Sequence, residues 1–344
     1  MNKMQLAVVA AAAAAFCGAV QAQASNVTVY GRVDLGVRKA PVNLLTSGDT
    51  ATSLADSSTG RIGFMGTEDL GGGNSAYFQL EHRFLGVSGM VDGNVFWKDK
   101  AWVGLASKTL GKVQLGRQSS PADNLGVNGR FEAFGGDSYA GNGSRTARGA
   151  AKWDGAVYYT TPKLAGFTGG LAMAPRGSAA TRHDAAGFHL DYAMGKLVLA
   201  TTYQVEQDAI FTTASNSMKT ATLAGAYDLG FVRPSFTYAR TNDLGQNDQG
   251  SSTVFTVGAR IPAGPGEARV SFRRIDEERI NNAGTFAGDR DSDRLGIGYH
   301  YPLSKRTSIN LSAVREQLKS FNAAGAQATD FSANGYEVAV RHNF

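Results

Sequence analysis

Tyr336-Glu337-Val338-Ala339-Val340-Arg341-His342-Asn343-Phe344 closes the chain. Tyr336, Val338, Val340, His342 and Phe344 form one row, and Glu337, Ala339, Arg341 and Asn343 form the other. A period of two puts the rows on opposite faces of a strand. No polar tail follows Phe344, so the edge of this last strand calls for a partner strand rather than water. A sheet closed on itself supplies one.

Residues 1–24 begin with Lys3, run apolar from Leu6 to Phe16 and end in small residues around Ala22 and Ala24. That layout predicts a secretory signal peptide, cut after Ala22 or Ala24, because the apolar stretch is too short for a membrane span. Cys17 raises lipid attachment, but the bulky Phe16 stands where a lipoprotein signal needs a small residue. The only cysteine would leave with the signal, which removes disulfide and thiol chemistry from the exported chain.

No linker or composition break divides residues 25–344, so one large domain is expected. Glycine contributes 43 of 344 residues against 8 prolines, and 42% of the chain is hydrophobic. Such a chain is too apolar for disorder and too irregular for collagen. Beyond the signal, no run approaches the roughly 20 apolar residues of a membrane helix.

Alternation recurs throughout. Val27, Val29, Val33, Leu35 and Val37 oppose Thr28, Tyr30, Arg32, Asp34 and Arg38. Phe78, Leu80 and Phe84 oppose Gln79, Glu81 and Arg83, while Phe188, Leu190 and Tyr192 oppose His189 and Asp191. Leu197, Leu199, Tyr203 and Val205 oppose Lys196, Thr202 and Gln204, and Leu295, Ile297, Tyr299 and Tyr301 oppose Arg294 and His300. A soluble antiparallel sheet with one face on a core is the competing reading, but it has no use for charge on an inner face. Segments of about ten residues, apolar outside and polar inside, fit an all-β transmembrane barrel.

Short connections rich in Gly, Asp and Pro fall at residues 68–74, 108–112, 194–196, 228–230 and 262–266. Longer polar ones fall at 39–59, 176–184, 208–218, 241–252, 281–291 and 319–334. Alternating turn lengths suit an outer-membrane barrel of about sixteen strands, with short turns on the periplasmic side. A barrel of that size encloses water.

Residues 119–151 stand apart, with seven glycines among Phe131, Phe134 and Tyr139. A connection this long inside a domain is usually functional or disordered, and the aromatics favour packing. We expect it to fold into the barrel and narrow the bore, bringing Asp123, Glu132 and Asp137 opposite basic wall residues. An external cover over the mouth is the alternative.

Val27-Thr28-Val29-Tyr30-Gly31, Gly60-Arg61-Ile62-Gly63-Phe64 and Gly66-Thr67-Glu68-Asp69-Leu70-Gly71 open a series of short motifs. Ala101-Trp102-Val103-Gly104-Leu105, Leu115-Gly116-Arg117-Gln118, Tyr301-Pro302-Leu303-Ser304-Lys305-Arg306-Thr307 and Arg341-His342-Asn343-Phe344 continue it in order. Together they resemble the Gram-negative general porins, especially the beta-proteobacterial branch, over nearly the whole chain. The resemblance implies a 16-stranded antiparallel barrel, a homotrimer, a third loop folded into each pore and passive diffusion of small hydrophilic solutes and ions. Outer-membrane lipids and the barrel-assembly machinery are the implied partners, the latter through Tyr336, Val338, Val340 and Phe344 of the last strand. Arg61 matches an arginine that lines the family's constriction, whereas Met65 stands where a second basic residue is common. Glu132-Ala133-Phe134-Gly135 resembles the acidic-aromatic-glycine turn of the third loop. At Lys98, Asp99 and Lys100 the family tends toward Arg-Gln, which leaves the role of these three open.

Alternation places Arg32, Arg38, Arg61, Arg83, Arg260, Arg269, Arg273 and Arg294 on the inner face. Charges in a narrow, low-dielectric passage favour counter-ions. The formal net charge of +5 falls to +4 when Lys3 leaves, too mild to decide selectivity alone. A modest anion preference is expected. Five histidines show no paired metal-ligand spacing, so neither a metal nor another cofactor is expected. His82 and His342 fall on the apolar row, at the membrane interfaces. Asp289 to Arg294 reads as a solvated loop end rather than a cation site. Gly71-Gly72-Gly73 is a turn and not a phosphate cradle, because no helix pattern follows. Basic residues form no nucleic-acid stripe. Enzyme activity, a substrate-selective channel and a purely structural barrel remain the competing function classes.

Overall fold

The computed structural model describes residues 26–39, 52–127, 130–135, 138–141, 150–175, 184–207, 217–244, 250–280 and 286–344. Alternating runs become strands β1 (Asn26–Lys39), β2 (Thr52–Asp56), β3 (Gly60–Gly71), β4 (Asn74–Phe84), β5 (Lys100–Ser107) and β6 (Gly111–Ser119). After the short helix α1 (Pro121–Val127) come β7 (Lys152–Thr160), β8 (Phe167–Ala174), β9 (Ala185–Met194), β10 (Leu197–Gln207), β11 (Ser217–Tyr227) and β12 (Arg233–Leu244). The chain ends in β13 (Gly250–Ala263), β14 (Gly266–Ile280), β15 (Phe286–Pro302), β16 (Thr307–Phe321) and β17 (Gln327–Asn343). Among the described residues no helix is long and apolar enough to cross a membrane.

From β3 onward each strand pairs antiparallel with the next. β17 then returns to β1, from Arg32 opposite Asn343 to Lys39 opposite Tyr336. β2 and β3 act as one stave, because β3 lies along Asn26–Arg32 of β1 and β2 along Leu35–Lys39. Their interruption sits against Asp34: the Ser57 N–H donates to its carbonyl at 2.9 Å and the Ser58 hydroxyl to its carboxylate at 2.5 Å. The result is a closed antiparallel barrel of sixteen staves.

Closure is completed by the terminal residue. The Gly31 N–H donates to the Phe344 carbonyl at 3.0 Å, and the Phe344 N–H to the Gly31 carbonyl at 3.1 Å. A Cβ at position 31 would collide with the Phe344 ring, so glycine is what admits the aromatic.

Burial is inverted relative to a water-soluble sheet. Val27, Val29, Leu171, Phe188, Leu190, Ile297, Val338 and Val340 are exposed on the outside, whereas Thr202, Gln204, Thr220, Thr237, Thr256 and Ser271 are buried inside. Apolar-out and polar-in alternation is the pattern lipid selects. The four C-terminal positions Tyr336, Val338, Val340 and Phe344 all stand on the exposed outer row.

Two connections read as long are strand instead. Residues 319–334 contain a turn of only 322–326, because β16 runs to Phe321 and β17 starts at Gln327. Asp289 to Arg294, read as a loop end, lies within β15 and pairs with Arg273 to Glu278 of β14 and Glu316 to Ser320 of β16. Charge on both faces removes the apolar alternation there, but the backbone ladder continues. The signal region 1–24 lies outside the described residues.

Candidate functional site

Backbone register builds the basic wall. Arg32 lies opposite Arg61, and Arg61 opposite Arg83, so three guanidiniums stand in one row on the inner face of β1, β3 and β4. Neighbouring strands are about 4.8 Å apart, close enough for like charges to repel unless acids intervene. They do: Arg61 Nη1 is 3.4 Å from Glu81 and 3.5 Å from Asp99, Arg83 Nε is 3.5 Å from Asp99, and Lys100 Nζ is 3.4 Å from Glu81. The Tyr30 hydroxyl donates to Glu81 at 2.7 Å. Arg38, also inward, donates to the Asp56 carbonyl at 3.0 Å and lies 3.8 Å from Glu337.

A second row crosses β12, β13 and β14, where Arg233, Arg260 and Arg269 are register partners. Arg273 and Arg294 pair four residues further along β14 and share Glu316, at 3.3 and 2.8 Å. Sequence reading named four of these five and missed Arg233, although it has the parity of the inward Ser235 and Thr237. Arg341 of the last strand clasps Asp34 through two nitrogens, at 2.7 and 2.9 Å.

The described parts of the 119–151 connection pack against this inner surface. Phe131 is buried against Ala200, Ala224 and Ala226, inward positions of β10 and β11. Phe134 seats on Gly296 and Gly298 of β15, where a Cβ would stand 3.3 and 2.8 Å from its ring. Small wall residues thus leave the volume that the aromatics fill. Three wall arginines fasten the backbone: Arg233 donates to the Arg130 carbonyl at 2.7 Å, Arg260 to those of Glu132 and Ala133 at 2.8 and 2.9 Å, and Arg294 to that of Tyr139 at 2.5 Å. At the near end, the Ala122 N–H of α1 donates to Gln204 at 2.9 Å. At the far end, the Trp153 indole donates to Glu206 at 2.5 Å.

The three acids expected to face the basic wall have different fates. Asp123 of α1 pairs with Lys152 at 2.6 Å, a partner the sequence did not reveal. Glu132 faces Arg260 and Arg269 but is only 3% exposed, and its carboxylate accepts the Phe134 N–H at 2.7 Å. Burial pushes its pKa up to about 7, against the lowering effects of Ser271, the Phe134 N–H, Arg260 and Arg269. Asp137 lies outside the described residues.

Asp99, ambiguous in the sequence, proves central. Its Oδ2 is shared by Arg61 and Arg83, and its Oδ1 lies 3.4 Å from Lys152. Burial alone would raise the carboxyl, but the hydrogen bond with Glu81 and the charges of Lys152, Arg83 and Arg61 hold it well below the usual carboxylate range. His82 is buried and stacks on Phe96 with ring centroids 4.4 Å apart, and His342 meets the Thr307 hydroxyl at 2.9 Å.

The geometry is a charged, wet bore through an apolar-coated cylinder, and comparison with known proteins agrees. A family profile described as Gram-negative porin matches residues 7–320. Outer membrane porin protein 32 of Delftia acidovorans is 31% identical, the alignment covering 99% of this chain and all of that one. Major outer membrane protein P.IB of Neisseria gonorrhoeae is 27% identical over 93% of this chain and 95% of its own. Among solved structures, an anion-selective porin from Comamonas acidovorans superposes with a TM-score of 0.75 at 24% identity, covering 93% of this chain and all of that one. The chain belongs to the Gram-negative porin family, outer-membrane proteins whose barrels are channels for passive diffusion.

Proposed function

We propose that this porin is a modestly anion-selective diffusion pore, a conduit rather than an enzyme, constricted by the 119–151 loop. One observation carries the selectivity: in the ion pairs of β1, β3, β4 and β17, the cation is the partner nearer the water. Side-chain exposure is 20% for Arg61 against 3% for Glu81, 29% for Arg38 against 2% for Glu337, and 18% for Arg341 against none for Asp34. Along this wall an ion therefore meets guanidinium first, in a field that the low-dielectric wall focuses, whereas across β14 to β16 Glu316 is at least as exposed as Arg273 and Arg294. Arg32, Arg38, Arg61 and Arg83 are the basic lining, and Asp123, Glu132, Phe134 and Asp137 belong to the constricting loop. The anion-selective porin with a similar fold supports the sign.

Export through cleavage after Ala22 or Ala24 and assembly as a homotrimer complete the reading. The exposed outer row supplies apolar surface for lipid and for neighbouring copies. Tyr336, Val338, Val340 and Phe344 serve as the signal read by the barrel-assembly machinery, since they alternate on the strand that closes the sheet. The selectivity is tested by the reversal potential of the purified protein in a planar bilayer under a potassium chloride gradient. We expect the sign of a chloride preference, and strong cation selectivity would overturn it.

A further inference from the structure

We propose that Asp99 sets the strength of the anion preference, acting as a buried counter-charge shared by Arg61, Arg83 and Lys152. It rests on the reading of the basic wall as the selective element.

Three cations converge on this one carboxylate within 3.4 to 3.5 Å. Its side chain is 6% exposed, whereas those of Arg61, Arg83 and Lys152 are 20%, 19% and 14% exposed. The carboxylate lies beneath the cations and subtracts from the field that they present to the water. Removing its charge would leave the three cations in place with less compensation. Glu81 is a poorer adjuster, because it lies within β4 and receives the Tyr30 hydroxyl as well as Arg61 and Lys100. Asp99 sits just outside the strands, at the end of the 85–99 loop, and its backbone N–H bonds the Glu81 carbonyl at 3.2 Å whatever side chain follows. Lys152 links it to the constricting loop, since its Nζ also reaches Asp123 at 2.6 Å and Ser119 at 2.8 Å. The acid is therefore placed to tune the wall and the loop anchor together.

The test compares reversal potentials of the wild-type porin with Asp99→Asn, Asp99→Ser and Asp99→Glu, all in the same bilayer and salt gradient. Taking a separation of about 8 Å and a water-like dielectric, losing one unit charge should raise the chloride-to-potassium permeability ratio about twofold or more. Both neutral variants should shift that way and Asp99→Glu should not. A packing role alone would disturb Asp99→Glu and Asp99→Ser without a common direction. Heat-resistant migration on gels identifies the variants that assemble, and the serine substitution covers a failure of asparagine to pack. If the assembled neutral variants keep the wild-type ratio, the proposal is overturned. If wild type favours potassium yet the neutral variants move toward chloride, the anion preference fails while the role of Asp99 stands.

Discussion

Phe344 and Gly31 exchange both of their backbone hydrogen bonds, so the last residue of the chain is paired with the first described strand. The ring occupies the space a side chain at position 31 would need. Gly31→Val should therefore prevent seam closure, and Gly31→Ala should weaken it. Deleting Phe344 should remove both bonds and expose a strand edge. Heat-modifiable gel migration checks this: the folded, heat-resistant form should be lost in Gly31→Val and reduced in the deletion.

Glu132 gives the loop a pH dependence. Its pKa in the folded protein is raised to about 7 from an ordinary 4.5, with burial as the main cause. Because the folded protein binds this proton more tightly, docking is fully favoured below the ordinary value and weakens as pH rises through about 7. Protection factors across residues 130–135 and 138–141, corrected for the intrinsic base catalysis of exchange, should be larger at pH 5.5 than at pH 8. Glu132→Gln should flatten that difference, and a slope of opposite sign would refute the assignment.

Phe134 is one of the loop's apolar anchors, beside Phe131 and Tyr139. Truncating a fully buried Phe to Ala costs about 3–5 kcal/mol, so Phe134→Ala should loosen the loop without opening the barrel. Gly298→Ala should act from the other side, because its Cβ would lie 2.8 Å from the Phe134 ring and 2.5 Å from the Leu311 carbonyl. Both variants should show a larger or noisier single-channel current than wild type, with heat resistance unchanged in Phe134→Ala and lowered in Gly298→Ala, whose Cβ also strains the β15–β16 ladder.

Arg61 and Arg83 carry the wall. Replacing both by Ser should move the reversal potential toward the cation side by more than either single change. The two residues share Asp99, so their effects should not add.

Much of this was legible in the chain. Tyr336 to Phe344 named its own outer row, and the same period placed Arg32, Arg38, Arg61 and Arg83 inside, because alternation is a local property of strand geometry. The extent of β15 through Asp289 to Arg294 was not legible, since hydrogen bonding continues where side chains no longer report a face. Lys152 and Arg233 escaped, and the role of Asp99 stayed open, for another reason: their partners are 16 to 103 residues away in sequence, so only the folded register brings them together. For Glu132, sequence could not say that its carboxylate turns back onto the Phe134 N–H and is buried instead of meeting water.

A water-filled bore must conduct, and single-channel conductance in a planar bilayer measures this. Discrete steps are expected, with a conductance that rises in proportion to bulk salt and a current that is ohmic at low voltage. No conductance from heat-resistant, assembled protein, or a current that saturates with simple salt, would contradict it.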